Sequence, residues 1–144
     1  GARRVIPLDE GEALLIDESY NANPASMAAT LKLLGQENAH SRIAVLGAMR
    51  ELGEQADAYH AALAGPIRDA QVDFAVLVGE EMAPLAEVLG EVTAFVHVAD
   101  AAEAEEALAD RIAPGDAVLV KGSNAIGLAA LVEALARGRA ACSS

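Results

Sequence analysis

Five short apolar runs rich in β-branched residues punctuate the chain: ALLID at 13–17, RIAVLG at 42–47, DFAVLVG at 73–79, AFVHV at 94–98 and AVLVKG at 117–122. Each is apolar at successive positions and therefore on both faces. That pattern belongs to strands buried in a parallel sheet, because a strand with one wet face alternates polar and apolar residues. Ala/Leu/Glu stretches of helical period separate the runs, at 24–34, 55–70, 80–89, 101–112 and 124–137. Gly65 and Pro66 are expected to kink or break the second of these. Strand–helix repeats with short links make right-handed crossovers that cover a sheet on both sides. The expected fold is α/β, a Rossmann-like three-layer sandwich with a mostly parallel sheet of about six strands and helices on both faces. RRVIPL supplies the sixth strand, turned by LDEGE into an antiparallel edge beside 13–17.

A chain of 144 residues that is 53% hydrophobic can bury a core of its own, so one domain over 1–144 is expected. With 3% aromatic residues and no Trp, that core is built from Ala, Val, Leu and Ile. The net charge of −12 argues against nucleic acid or an anionic membrane surface as a partner. The single Cys142 forms neither an internal disulfide nor a thiolate metal site, which fits a reducing cytoplasm. No His, Cys and carboxylate spacing suggests a structural metal. No apolar run approaches the roughly 20 residues of a membrane helix. GARRVIPLDEGE at the start lacks the apolar centre of a signal peptide. The acidic stretch DAAEAEEALADR at 100–111 reads as one solvated helix face with Ala and Leu inward.

Ligands of open parallel sheets sit outside the carboxyl ends of the strands. Polar chemistry concentrates after the first, second and fifth runs, at 17–23, 47–53 and 121–123. In DESYNANP, Asn23 before Pro24 reads as a helix N-cap followed by proline at the first helical position. One cap does not require Asp17, Glu18, Tyr20 and Asn21 as well; Asp17 and Glu18 read equally as solvated turn acids or as ligand groups. A lone helical histidine such as His60 is more often a packing or capping residue than a catalyst. Lys121 and Ser123, taken alone, read as a surface cation and a helix N-cap.

LLIDESYNANPASMAATLKLL, RIAVLGAMRELGEQADAYHAAL and GDAVLVKGS occur in an order and at spacings that resemble the C-terminal domain of the Mur ligases. The resemblance runs from about Leu14 to Leu135. It is strongest to those members that join D-alanyl-D-alanine to the UDP-N-acetylmuramoyl tripeptide in cell-wall synthesis. It implies a ligase that uses ATP and magnesium to phosphorylate a carboxylate, after which an amine attacks the acyl phosphate. It also implies two partner domains, an N-terminal one holding the UDP-sugar peptide and a central P-loop ATPase. This sequence resembles only the third domain and contains no G-x-x-x-x-G-K-[ST]. Alone it is therefore expected to be inactive, without tightly bound ATP or magnesium, its contribution being closure of a cleft over the reacting groups.

Carried over residue by residue, the resemblance places Asp17, with Tyr20, Asn21 and Asn23, against the nucleotide. It places Lys121 and Ser123 against the incoming dipeptide or the transferred phosphate. Lysine at a strand end, glycine allowing close approach and serine opening a helix together suit an anion. His60 falls at the family's histidine position. Ala48 stands where members commonly carry an acid, so that contact is absent or taken over by Glu51; Asn124 stands where they commonly carry arginine. Other classes fit less well. A phosphorylation receiver needs an aspartate after the third run, where VGEE stands, and Asp100 comes only after the fourth. A stand-alone Rossmann-like module for nucleotides or small anions needs a glycine-rich first turn, and DESYNANPAS has no glycine. A purely structural or interaction domain is compatible with the fold alone.

Overall fold

A computed structural model describes residues 2–19, 22–122 and 127–138. Strand β1 (Ala2–Leu8) turns through Asp9 and Glu10 into β2 (Gly11–Glu18), its antiparallel partner. Helix α1 (Pro24–Gly35) leads to β3 (Arg42–Gly47), and the short α2 (Ala56–Ala61) and α3 (Ala64–Asp69) lead to β4 (Phe74–Val78). Then follow α4 (Ala83–Leu89), β5 (Ala94–Val98), α5 (Ala101–Leu108), β6 (Ala117–Lys121) and α6 (Leu128–Ala136). The six strands lie in the order β1-β2-β6-β3-β4-β5, and every pairing except β1 with β2 is parallel. The expected α/β sandwich, including its antiparallel first strand, is the observed one.

Side chains alternate between sheet faces with a period of two, and this divides the core into two layers. Ile16, Ala44, Leu46, Ala75, Leu77 and Leu119 pack with Met27, Leu31 and Leu34 of α1, Ile67 of α3 and Leu85 of α4. On the other face Leu15, Val45, Val76, Val118 and Val120 meet Leu108 of α5 and Leu131, Val132 and Leu135 of α6. Gly11 at the hairpin is a position where a side chain would be strained and crowded. Its φ is +149° and a Cβ there would stand 3.1 Å from Pro114 Cβ.

Two expectations need correction, and the break expected in the helix at 55–70 is present just ahead of Gly65 and Pro66. AFVHV is a parallel strand but not a buried one, because β5 lies at the sheet edge and Ala94 and His97 are exposed. The helix break falls at residues 62–63. Pro66 then sits in the first turn of α3, where its missing N–H leaves no hydrogen bond unmade. The helix predicted at 101–112 ends at Leu108. Asp100 is the N-cap of α5, its Oδ1 accepting from the Glu103 N–H at 2.9 Å. Tyr20, Asn21, Ser123 and Asn124 lie outside the described residues. Among the described residues no helix is long and apolar enough to cross a membrane.

The start of α1 is built as its sequence predicts. Asn23 Oδ1 accepts from the Ser26 N–H at 2.9 Å while Ser26 Oγ accepts from the Asn23 N–H at 3.1 Å, a reciprocal capping box ahead of Pro24. Asn23→Ala removes half of this arrangement. It is expected to destabilise the chain by about 1 kcal/mol, read as a lower urea midpoint with an unchanged slope.

Candidate functional site

Because β6 is inserted between β2 and β3, the carboxyl ends of these three parallel strands stand side by side. Glu18 and Leu46 flank Lys121 in register, one on each neighbouring strand. The sequence-predicted stretches after the first, second and fifth runs therefore leave from one rim, and Glu18 and Lys121 end adjacent strands.

Lys121 is 1% exposed, an unusual position for a lysine. Alternation from Leu119 places it on the α1 face of the sheet. Its Nζ lies 3.6 Å from Glu18 Oε1, an ion pair in which the acid keeps 19% of its side chain exposed and the lysine 2%. Burial pushes the Lys121 ammonium below its ordinary pKa, and the charge of Glu18 acts in the opposite direction.

Asp17 belongs to the other face, on the side of Leu15, where its charge acts on Arg4 of β1. Its Oδ1 accepts from the Ser19 N–H at 3.1 Å and from the Ser19 hydroxyl at 2.7 Å, curling the chain as it leaves β2. The acid beside Lys121 is thus Glu18 and not Asp17. Position 18 became legible only once residue 18 was set in register with residue 121.

The other candidates surround this centre. Asn23 is exposed at the start of α1 with its amide oxygen engaged in the cap. His60 is 1% exposed on α2; its Nε2 accepts from the Met49 N–H at 3.0 Å and its Nδ1 donates to the Ala56 carbonyl at 2.8 Å. Both ring nitrogens are used inside the protein, so His60 fixes the connection after β3 from beneath. Ala48 in that connection is fully buried, whereas Glu51 is exposed with a left-handed φ of 61°. The connection thus offers an acid outward at 51.

Other features lie off this rim. Asp116, just before β6 at the opposite end, is 2% exposed; burial raises its carboxyl pKa, against a bond to Oδ2 from the Ala113 N–H at 2.8 Å. A cavity of about 500 Å³ lies between α1 and α3, beside Ala28, Lys32, Pro66 and Asp69. A smaller one of about 300 Å³ sits where β4 and β5 end, lined by Glu80, His97 and Ala99. Among the described residues no group of three or more His, Cys, Asp or Glu side chains comes together to hold a metal ion.

The chain is an α/β domain with a mostly parallel sheet and a buried lysine paired with a glutamate where β2 and β6 end. The chain matches the family "Mur ligase, glutamate ligase domain" over residues 3–124, and it belongs to that family. The UDP-N-acetylmuramoyl-tripeptide--D-alanyl-D-alanine ligase of Mycobacterium tuberculosis strain H37Rv is 41% identical over 143 residues, covering 84% of this chain and 28% of the relative. The ligase of the same name from Synechocystis is 34% identical over 128 residues, 86% of this chain and 28% of the relative. The chain thus spans between a quarter and a third of the length of these relatives. Among solved structures, MurF from Acinetobacter baumannii superposes with a TM-score of 0.80 at 28% identity, over 95% of this chain and 31% of that one. The MurF ligase of Thermotoga maritima, solved in complex with ADP, gives 0.74 at 24% identity over 93% of this chain and 30% of that one, a likeness of fold.

Proposed function

We propose that this chain is the C-terminal, cleft-closing domain of an ATP-dependent ligase that joins D-alanyl-D-alanine to a UDP-N-acetylmuramoyl tripeptide in cytoplasmic peptidoglycan synthesis. The observation that carries this reading is the common rim of β2, β6 and β3, with Asp17, Glu18 and Lys121 at its centre. Relatives that match 84–86% of this chain bear this ligase's name. In such a reaction the tripeptide carboxylate attacks the terminal phosphate of ATP and releases ADP. The dipeptide amine then attacks the acyl carbon, and phosphate leaves.

The residues of this chain bind, orient and exclude water. The carboxylate of Asp17 suits ribose hydroxyls, and Tyr20, Asn21 and Asn23 are assigned to the nucleotide with it. Lys121 and Ser123 supply positive charge and a hydroxyl to the phosphate or the dipeptide carboxylate. Glu51 and His60 belong to the connection after β3, one facing outward and the other holding it in place. Among the described residues no group of three or more His, Cys, Asp or Glu side chains comes together to hold a metal ion. The metal and the ATP phosphates are assigned to a central P-loop domain, and the UDP-sugar peptide to an N-terminal one. A stand-alone nucleotide module is disfavoured by the glycine-free turn after β2.

The test is a chimera in which this chain replaces the corresponding domain of the Mycobacterium tuberculosis relative. It is expected to release phosphate in step with a dipeptide adduct seen by mass spectrometry, while the 144-residue chain alone neither hydrolyses ATP nor binds it tightly. Dipeptide-independent ATP turnover by the isolated chain, or a folded chimera that forms no adduct, contradicts the proposal.

A further inference from the structure

This inference rests on the functional reading just given and adds a residue to it. Lys121 ends the central strand beneath the rim rather than on it. A buried ammonium needs a counter-charge close by. On β3 its in-register neighbour is the apolar Leu46, and α1 brings Met27, Leu31 and Leu34 to the same layer. The titratable group buried on α2, His60, is bonded to Met49 and Ala56. From β2 comes Glu18, in register and 3.6 Å away. Asp17 projects to the opposite face and is bonded to Ser19.

We propose that Glu18 is a positioning residue for ligation: its carboxylate anchors the Lys121 ammonium at the junction of β2 and β6 and supplies the counter-charge that Asp17 cannot. The acid itself is reached by solvent while the ammonium is not. Glu18 therefore links the loop leaving β2, on the nucleotide side, to the lysine on the phosphate and dipeptide side. Removing its charge takes away a contribution that raises the Lys121 pKa against the effect of burial, so the lysine gives up its proton at lower pH.

Two measurements test this. In the full-length ligase carrying this domain, Glu18→Gln is expected to reduce kcat/KM for the dipeptide about tenfold, the loss of one charge-assisted contact. The alkaline limb of its pH profile should move to lower pH, and Glu18→Asp should restore part of both. In the 144-residue chain labelled with 13C and 15N lysine, the Lys121 side-chain signal should titrate at lower pH in Glu18→Gln than in the unsubstituted chain and stay put in Asp17→Asn. An unchanged alkaline limb, or an unchanged Lys121 titration in a folded Glu18→Gln chain, overturns the inference. If Glu18→Gln does not fold, the direction of the Glu18→Asp titration decides it. Failure of the unsubstituted ligase to form the adduct instead overturns the functional reading, and the titration still reports on the pair.

Discussion

Lys121→Met in the full-length ligase is expected to lower kcat/KM by on the order of 10²-fold or more, the usual effect of deleting a preorganised charge in a water-excluded site. Methionine nearly preserves the volume of the side chain, so the end of β6 should stay packed and the variant should melt as one cooperative unit. On the proposed reading, the lost quantity is the ammonium that serves the transferred phosphate or the dipeptide carboxylate. Burial makes that charge expensive to install, which also means that water competes for it poorly. Combining Lys121→Met with Glu18→Gln should cost little more than Lys121→Met alone, because the carboxylate acts through the ammonium. Steady-state kinetics on the single and double variants measure this. A Lys121→Met enzyme within threefold of the unsubstituted one would remove Lys121 from the reaction.

Leu119→Ala should be the most destabilising truncation among those considered, about 2–5 kcal/mol in urea unfolding. Leu119 is fully buried at the middle of β6, in register with Ile16 on β2 and Ala44 on β3. Parallel strands hydrogen-bonded on both sides hold its neighbours at fixed spacing, so the cavity cannot collapse. Against a typical total of about 5–15 kcal/mol for a domain, this is a large fraction. Val96→Ala on the half-exposed edge strand should cost clearly less, since it removes one carbon fewer and solvent already reaches that side chain. Equal losses at the two positions would contradict the central placement of β6.

Local chemistry was readable from the sequence wherever one turn of chain decides the outcome. Asn23 caps α1 and precedes proline because both effects act within four residues, and the hairpin around Gly11 is equally local. Strand order is not local, so AFVHV looked as buried as AVLVKG although one became an edge and the other the centre. Pro66 was read correctly as a helix breaker, but proline is tolerated in a first turn, and the break fell before it. The candidate site was legible as far as its rim: 17–23 and 121–123 were expected together, and the described parts of them leave adjacent strands. What could not be read was facing. Asp17 and Glu18 are consecutive acids, and only the register with β6 shows which shares a side with Lys121.

The insertion of β6 between β2 and β3 has a consequence for how the protein is made. A ribosome delivers β1 to β5 first, as a hairpin and a three-stranded piece whose inner edges, on β2 and β3, stay open until residue 117 and beyond emerge. The last strand to be synthesised is the keystone that joins them, and it carries the buried lysine at its end. Glu18 waits for its counter-charge until the end of β6 has been made, and a nascent chain halted before that point has no assembled rim to offer a ligand.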